Sequence, residues 1–148
     1  MKVLIYLVVF VLVVAALWIR FAPHDVDRWH VDPADAPEPQ GNGWRIIGED
    51  APRFPGDFET VMSNLTDIAL SEPRVRLLDG GEDEGLVTFV ARSKWVGFPD
   101  YVTFKAVQEG EKTKVATVSR ARYPGSDWGT NRERLDRWFA ELELRLRP

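Results

Sequence analysis

An uninterrupted apolar stretch at the N-terminus constrains this chain more than any other feature of its sequence. The seventeen residues from Val3 to Ile19 include no charged residue, no proline and no glycine, and Lys2 and Arg20 flank them. A helix rises about 1.5 Å per residue, so this stretch is about 25 Å long, slightly less than the ~30 Å hydrocarbon core of a bilayer. Arg20 can extend its charged head towards the headgroups and so lengthen the span. We therefore predict a transmembrane anchor over residues 1–22.

A cleaved signal peptide is the alternative interpretation of the same stretch. Val13 and Ala15 occupy the small-residue positions that precede a cleavage site. However, the apolar run continues past that site to Ile19, and the charged region before the run is only two residues long. We favour the anchor, and in both cases the rest of the chain crosses the membrane.

The charges on either side of the stretch predict its orientation. The N-terminal amine and Lys2 are positive, whereas Arg20 and Arg28 are offset by three aspartates between positions 25 and 32. The positive-inside rule therefore favours a cytoplasmic N-terminus and a C-terminal domain outside the cytoplasm. In a bacterium, this arrangement predicts a single-pass protein of the inner (cytoplasmic) membrane with a periplasmic domain.

Length and composition divide the rest of the chain into a linker and one domain. About 105 residues follow the linker, the usual size of one domain with its own core, and we predict that domain over residues 44–148. Residues 23–43 hold five acids against one arginine and four of the ten prolines. Because they cannot bury enough apolar surface to fold alone, we predict an extended tether. Trp29 and His30 interrupt it, and we expect the indole to pack on the chain's own domain or on the headgroups.

Several classes of site are excluded by residues that the sequence lacks. The absence of cysteine excludes disulfides, thiol catalysis and cysteine metal sites. His24 and His30 are the only histidines and precede the predicted domain, which excludes a histidine zinc site or a Ser/His/Asp triad within it. The sequence has no phosphate-binding glycine motif, and its net charge of −4 argues against a nucleic-acid partner. We therefore predict no metal, no cofactor and no nucleic acid.

The spacing of apolar residues predicts the order helix, four strands, helix in the domain. Helical spacing runs from Phe58 to Ala69 and follows Asp57, a favourable N-cap, and a second helix opens with a capping box formed by Thr130 and Glu133. Between the helices, β-prone runs joined by polar turns predict two hairpins. The connections are too short for crossovers, so we predict an α+β fold: a four-stranded antiparallel meander with two helices packed on one face.

Two segments, 91–107 and 119–138, carry the residues best suited to binding. Each places an arginine and a serine at a strand end, then a turn with aromatics, a glycine and an aspartate, Asp100 in the first and Asp127 in the second. Arg120 shares its strand face with apolar residues, so its guanidinium needs a partner if it is buried. Two alternatives stay open. One is a network of arginines and aspartates that holds the loops on the sheet; the other is a pocket for a carboxylate, a phosphate or a lipid headgroup, completed by the amides that open the last helix.

These segments also carry a resemblance to a known family. The motif APHDVDRWHVDP after a membrane anchor, followed by EPR, ARSKWVGFPDYV and SRARYPGSDWGTNRERLDRW, resembles the family called domain of unknown function 1499, in its alphaproteobacterial form. The resemblance covers nearly the whole chain and implies a small envelope or organelle protein with no established activity. Trp128, where an aliphatic residue is expected, and the Pro124–Gly125 turn depart from the family pattern.

The sequence thus predicts a membrane-anchored binding or interaction module rather than an enzyme. Its partner is expected to be an envelope protein, an anionic headgroup or a small anion, recognised by exposed aromatic residues beside basic ones. The residues predicted to bind come from the motifs and the strand face: Arg92, Ser93, Phe98, Asp100, Ser119, Arg120, Arg122, Asp127, Asn131 and Arg132.

A hydrolase-like enzyme is the alternative function. It would use Asp100 or Asp127 as the reacting carboxylate, while Arg120 and Asn131 hold an anionic substrate. No activated nucleophile can be named in the sequence, so we rank this alternative below the binding module.

Overall fold

The N-terminal apolar stretch forms one long helix, and the rest of the described chain buries none of its residues. The computed structural model describes residues 1–123, 125 and 129–147. Helix α1 spans Lys2–Phe21, has a mean hydropathy of 2.8 and buries none of its residues. Its length and composition are sufficient to cross a membrane. A helix that is apolar on all sides and exposed has no stable place in water, so these features fit a membrane anchor.

The domain is an α+β fold built on an antiparallel sheet, as predicted. The strands are β1 Trp44–Ile46, β2 Arg53–Pro55, β3 Val75–Gly81, β4 Leu86–Arg92, β5 Pro99–Glu109 and β6 Lys112–Ala121. Their order in the sheet is β1-β6-β5-β4-β3, and β2 also pairs with β6. The sheet has six strands rather than the four predicted, because the short strands β1 and β2 pair one after the other with the free edge of β6.

Two helices cover one face of the sheet, which confirms that part of the prediction. Helix α3 spans Phe58–Ser71 and α4 spans Thr130–Arg145. Asp57 caps α3, since its carboxylate accepts a 2.8 Å hydrogen bond from the Thr60 amide. The main hydrophobic core lies between these helices and the sheet. Its largest fully buried side chains are Trp138, Phe89, Phe104, Met62, Leu65 and Ile68.

Helix α4 begins differently from the prediction. Gly129 occupies the N-cap in a left-handed conformation, with φ 87°, and Thr130 is the first helical residue. The Glu133 amide donates a 3.0 Å hydrogen bond to the Gly129 carbonyl. The predicted capping box, with Thr130 at the N-cap, is therefore wrong, because a glycine supplies the turn into the helix.

The opposite face of the sheet is covered by the segment 23–43 that precedes the domain. A short helix, α2 Val26–Trp29, begins after Asp25, whose carboxylate accepts a hydrogen bond from the Arg28 amide. The side chain of Trp29 is only 5% exposed and joins a second apolar cluster with Val90. Although the composition of this segment predicts a tether, its indole packs on the chain's own domain.

Candidate functional site

The arginines of this protein divide into two groups by their partners. Of the fourteen in the sequence, seven form salt bridges with carboxylates, mostly on α4 and at the sheet edge: Arg45, Arg53, Arg132, Arg134, Arg137, Arg145 and Arg147. The other seven form no salt bridge within the described part of the chain, and they lie on α1, on α2 or around the sheet face that segment 23–43 covers. They are Arg20, Arg28, Arg74, Arg76, Arg92, Arg120 and Arg122.

Arg120 lies at the centre of this second group. Its side chain points to the face covered by segment 23–43, because it pairs across the strands with Tyr101. The residue is 7% exposed, and its Nη2 donates a 2.9 Å hydrogen bond to the Trp29 carbonyl. Its guanidinium carbon lies 5.0 Å from the centre of the Trp29 ring. Burial lowers the pKa of Arg120, and the charge of Arg28 lowers it further.

The two aspartates of the predicted network do not account for Arg120 in the described residues. Asp100 is one residue from Tyr101 on β5, so its side chain points to the helix-covered face, away from Arg120. There it lies 3.9 Å from the Nη1 atom of Arg134. Asp127, the other aspartate of the network, lies outside the described residues, so its pairing with Arg120 stays a prediction.

A small cavity opens beside Arg120. It has a volume of about 240 Å³ and is lined by Arg28, Trp29, Arg120, Ala121, Arg122 and residues 37–40. Glu38 is the one acidic residue in this lining, and its carboxylate is 76% exposed and pairs with Arg45. Arg122 donates a 2.9 Å hydrogen bond from Nη1 to the Pro23 carbonyl. The buried Nε atom of Arg120 has no hydrogen-bond partner among the described residues. Three guanidinium groups thus border this cavity, which we call the central cavity.

Tyr101 and His24 connect the central cavity to a second basic region. The Tyr101 hydroxyl lies 2.7 Å from Nδ1 of His24, and the Nε2 atom of His24 lies 3.1 Å from Nη2 of Arg92. A guanidinium can only donate, so Nε2 accepts and the neutral imidazole carries its proton on Nδ1. Burial lowers the pKa of His24, and the charges of Arg92 and Arg122 lower it further.

The second basic region is a larger cavity at the C-terminal end of α1, which we call the anchor cavity. Its volume is about 410 Å³. Four of the seven arginines without a salt bridge line it, together with His24 and Ser93. The apolar part of its wall comes from the end of α1 and from β3 and β4. The lining residues on these elements, or directly before β3 in the case of Arg74, are Arg20, Phe21, Arg74, Arg76, Leu77, Leu78, Val90 and Arg92.

Arg92 connects the sheet to the end of helix α1 at this cavity. Its Nη1 donates to the Gly97 carbonyl at 2.8 Å and approaches the Ile19 carbonyl of α1 at 3.5 Å. Burial is the main cause that lowers the pKa of Arg92, and the neighbouring arginines, including Arg20 and Arg76, lower it further. The described contacts of Arg92 are therefore to neutral groups, and its positive charge is available to an anion in the cavity.

The loop between β4 and β5 lies next to the same end of α1. Ser93 shapes the loop, because its hydroxyl oxygen accepts 3.0 Å hydrogen bonds from the amides of Gly97 and Phe98. Phe98 is partly exposed and contacts Tyr123 edge to face. Trp95, at the tip, is 85% exposed. Ser93 therefore has a structural role, and the loop presents aromatic side chains to the outside.

Three further predicted residues lie on the helix-covered face, where they connect α4 to the sheet. The Ser119 hydroxyl donates a 2.9 Å hydrogen bond to Oδ1 of Asn131, and the same oxygen accepts a 2.6 Å hydrogen bond from Arg134. Arg134 also approaches Glu72 and Asp100, each at 3.9 Å. Ser119, Asn131 and Asp100 therefore belong to a buried polar network that fixes α4, and this environment does not favour the hydrolase alternative.

Arg132 lines neither the central cavity nor the anchor cavity. Its guanidinium carbon is 4.5 Å from the centre of the Trp44 ring, and its Nε atom is 3.8 Å from an Asp136 oxygen. Among the residues described here, no group of three histidine, cysteine, aspartate or glutamate side chains is arranged to hold a metal ion.

A family model matches residues 34–142, about three quarters of the chain. The chain belongs to the family described as protein of unknown function (DUF1499). The match confirms the family that the motifs suggest, and it covers the whole sheet, α3 and most of α4. No curated protein matches the chain, and no solved structure matches it. The DUF1499 match begins at residue 34, so Arg20, His24 and Trp29 all precede the matched region.

Sequence analysis missed several residues that the structure brings to these sites. Arg74 directly precedes β3 and Arg76 is its second residue, so in the sequence both look like ordinary exposed positions of an alternating strand. The contact between Arg134 and Asn131 could have been predicted, because the two residues are three positions apart and therefore lie on the same face of α4. Only the long-range approach of α1 brings Arg20 to the sheet, and no local pattern encodes it.

Proposed function

We propose that this DUF1499 protein is a single-pass membrane protein of the cell envelope whose domain binds a small anion in the central cavity. The domain would face the non-cytoplasmic side of the inner membrane, which is the periplasm in a bacterium. The ligand would carry a carboxylate or a phosphate group. The observation that carries the proposal is the environment of Arg120, a buried guanidinium that forms no salt bridge with any described residue.

The energetic argument starts from the cost of burying a charge. An ion removed from water loses several kcal/mol of hydration unless an opposite charge or a full set of hydrogen bonds replaces it. Arg120 receives one carbonyl, one indole face and no carboxylate among the described residues. An anion in the cavity would supply the missing charge, and its oxygens match the planar donor geometry of guanidinium groups.

The neighbours of Arg120 strengthen this argument. Arg28 and Arg122 line the same cavity and have no salt bridge in the described chain. Three guanidinium groups around a cavity of about 240 Å³ repel one another when it is empty, so a bound anion relieves this repulsion. The expected ligand is small, because the cavity is close to the lower end of the range for ligand sites, about 300 Å³.

Anion binding can be tested on the full-length protein in a nonionic detergent. Inorganic phosphate or acetate replaces chloride at constant ionic strength, and the melting temperature is measured. We expect at least one of the two to raise the melting temperature, since a ligand that binds only the folded state stabilises it by about 2.7 kcal/mol at one hundred times its Kd. Arg122→Gln should abolish the rise.

Arg132→Gln is the matched control, because Arg132 is an exposed arginine that belongs to neither cavity. It should keep the rise seen with the native protein. An equal response of the native protein and Arg122→Gln, or no response to either anion, would contradict the proposed anion site.

The orientation is tested independently with a reporter enzyme that is active only outside the cytoplasm, fused after residue 148. We expect activity, because the charge bias around α1 favours a cytoplasmic N-terminus. An inactive fusion that accumulates to the same level would overturn the orientation. Release of the protein into the soluble fraction by osmotic shock would show that the stretch is cleaved.

A further inference from the structure

We infer that the anchor cavity holds the phosphate headgroup of an anionic phospholipid from the membrane in which α1 is embedded. This site is distinct from the central cavity, and the inference rests on the membrane anchoring in the proposed function but not on the small anion. The lipid phosphate would lie among Arg20, Arg74, Arg76 and Arg92.

The first argument is depth in the membrane. Helix α1 has 20 residues and is therefore about 30 Å long, which equals the thickness of the hydrocarbon core. Its last two residues, Arg20 and Phe21, thus lie at the boundary with the headgroups. Both residues also line the anchor cavity. The cavity is consequently at the depth where lipid phosphates lie.

The second argument is the chemistry of the cavity wall. Its polar part contains four guanidinium groups and no acidic side chain. Its apolar part includes Phe21, Leu78 and Val90. A free phosphate needs no apolar wall, whereas a phospholipid brings a charged group and an apolar body together. Clustered basic residues beside a membrane helix are a known way to recognise anionic headgroups.

The third argument is an apolar groove that continues from the cavity along α1. It is lined by Val14, Leu17, Trp18, Phe21, Ala22 and Pro23. Phe21 lines both the groove and the anchor cavity, so the two are adjacent. An acyl chain in the groove would place its headgroup in the anchor cavity without crossing a polar surface.

The loop between β4 and β5 supports the same placement. Its Gly97 lies beside the guanidinium of Arg20, since an added Cβ there would be 3.2 Å from Nη1. The exposed tip of the loop consists of Lys94, Trp95 and Val96, and the lysine lies over the indole. Tryptophan and lysine together favour the interface between headgroups and acyl chains. The loop therefore has the composition of a membrane contact beside the cavity.

The experiment compares three probes on the full-length protein in a nonionic detergent. These are short-chain phosphatidylglycerol, short-chain phosphatidylcholine and glycerol 3-phosphate, each titrated while the melting temperature is followed. We expect phosphatidylglycerol to raise the melting temperature and phosphatidylcholine to have little effect. Glycerol 3-phosphate should act only at much higher concentration, because it has no apolar part.

Variants assign the response to one cavity. Arg76→Gln should weaken the apparent affinity for phosphatidylglycerol about tenfold, the loss expected for one charge-assisted contact. Arg122→Gln, in the central cavity, should weaken this affinity far less than Arg76→Gln does. Arg137→Gln controls for the loss of one positive charge, since that residue pairs with Glu72 on the other side of the sheet.

The outcomes separate this inference from the proposed function. Equal responses to glycerol 3-phosphate and phosphatidylglycerol would overturn the lipid site and leave the small-anion site standing. A phosphatidylglycerol response that Arg122→Gln abolishes and Arg76→Gln preserves would also overturn it. A response to phosphate and acetate with none to phosphatidylglycerol would overturn this inference alone.

Discussion

Trp29 stacks face to face on Tyr101, with ring centres 3.9 Å apart and planes within 8° of parallel. The contact joins residues 72 positions apart and fixes segment 23–43 on the sheet. The Trp29 carbonyl also accepts hydrogen bonds from Arg120 and, at 3.3 Å, from Thr103. One residue of a proline-rich, acidic segment thus covers the aromatic and the cationic side chains at the centre of this face.

Trp29→Ala tests how much this contact stabilises the domain. We expect a loss of about 3 to 5 kcal/mol in the free energy of unfolding, the usual cost of truncating a buried tryptophan. Chemical denaturation measures the loss, and limited proteolysis should show new cleavage within residues 23–43. Trp95→Ala is the control, because an exposed tryptophan should change stability by less than about 0.5 kcal/mol. Equal stability of the two variants would mean that the segment does not depend on Trp29.

The same contact bears on the predicted domain boundary at residue 44, which stays a prediction. A chain that begins at residue 44 loses Trp29 and exposes Tyr101 and Val90, which pack with it. A chain that begins at residue 23 keeps them covered. We therefore expect the longer chain to melt at a higher temperature. Identical melting temperatures would support a domain that is independent of the segment.

Arg120→Met and Arg134→Met compare the two environments of buried arginine. Arg120 has no salt bridge in the described part of the chain, so its replacement removes a buried charge together with one hydrogen bond and the indole contact, and stability should change by less than about 1 kcal/mol. Arg134 donates to Asn131 and lies near the carboxylates of Glu72 and Asp100, so its replacement removes a charged hydrogen bond and two ion pairs. We expect that variant to lose about 2 kcal/mol or more. Denaturant midpoints measure both, and the reverse order of stabilities would contradict this assignment.

The parts of the fold that depend on local pattern could be predicted from the sequence. The helix from Phe58 follows from apolar spacing and from Asp57, because both signals act within one or two turns. The two hairpins follow from β-prone runs joined by short polar turns. Strands β1 and β2 have only three residues each, too few to show an alternation, and they exist because the edge of β6 offers them hydrogen bonds.

Only part of the candidate site could be predicted, because strand alternation is a local pattern whereas the contacts of Arg120 join residues far apart in the sequence. Strand alternation places Arg120 on an apolar face, and this prediction is confirmed by its burial. The sequence predicts that the Trp29 indole packs on the domain or on the headgroups, but it does not place the Trp29 carbonyl beside Arg120, which is 91 positions away. Asp100 is close in sequence and has the right charge, but alternation on β5 directs it to the other face.

His24 should make stability depend on pH in the mildly acidic range. Its pKa in the folded protein lies below the ordinary value of 6.5, because it is partly buried and Arg92 and Arg122 lie nearby. Between the folded and unfolded pKa values the unfolded chain binds more protons, so the stabilising contribution is complete above pH 6.5 and is lost as the pH falls. Protonation also removes the acceptor that Nε2 offers to Arg92.

The measurement is the melting temperature between about pH 7.5 and pH 5.5 for the native protein and for His24→Gln. We expect the native protein to lose stability on acidification and the variant to lose less over the same range. Parallel curves for the two proteins would exclude His24 as the group responsible.

Arg74 combines backbone strain with a place in the anchor cavity. It has a φ of 67°, in the left-handed region, and no other non-glycine residue in the described chain has a positive φ. This conformation costs roughly 1 to 2 kcal/mol for a residue with a Cβ. Its Nε atom makes one long hydrogen bond, at 3.4 Å, to the Arg92 carbonyl. A strained residue that carries a charge into a cavity fits a ligand contact better than a stabilising role.

Arg74→Gly and Arg74→Ala separate these two properties. Both remove the guanidinium, so both should weaken the response to phosphatidylglycerol about tenfold. Only glycine relieves the strain, so Arg74→Gly should be as stable as the native protein or up to about 1 kcal/mol more stable, whereas Arg74→Ala should gain nothing. Melting temperatures without lipid measure stability, and the lipid titration measures binding. If Arg74→Gly lost stability and kept the lipid response, Arg74 would be a structural residue and the anchor cavity would lose one of its four arginines.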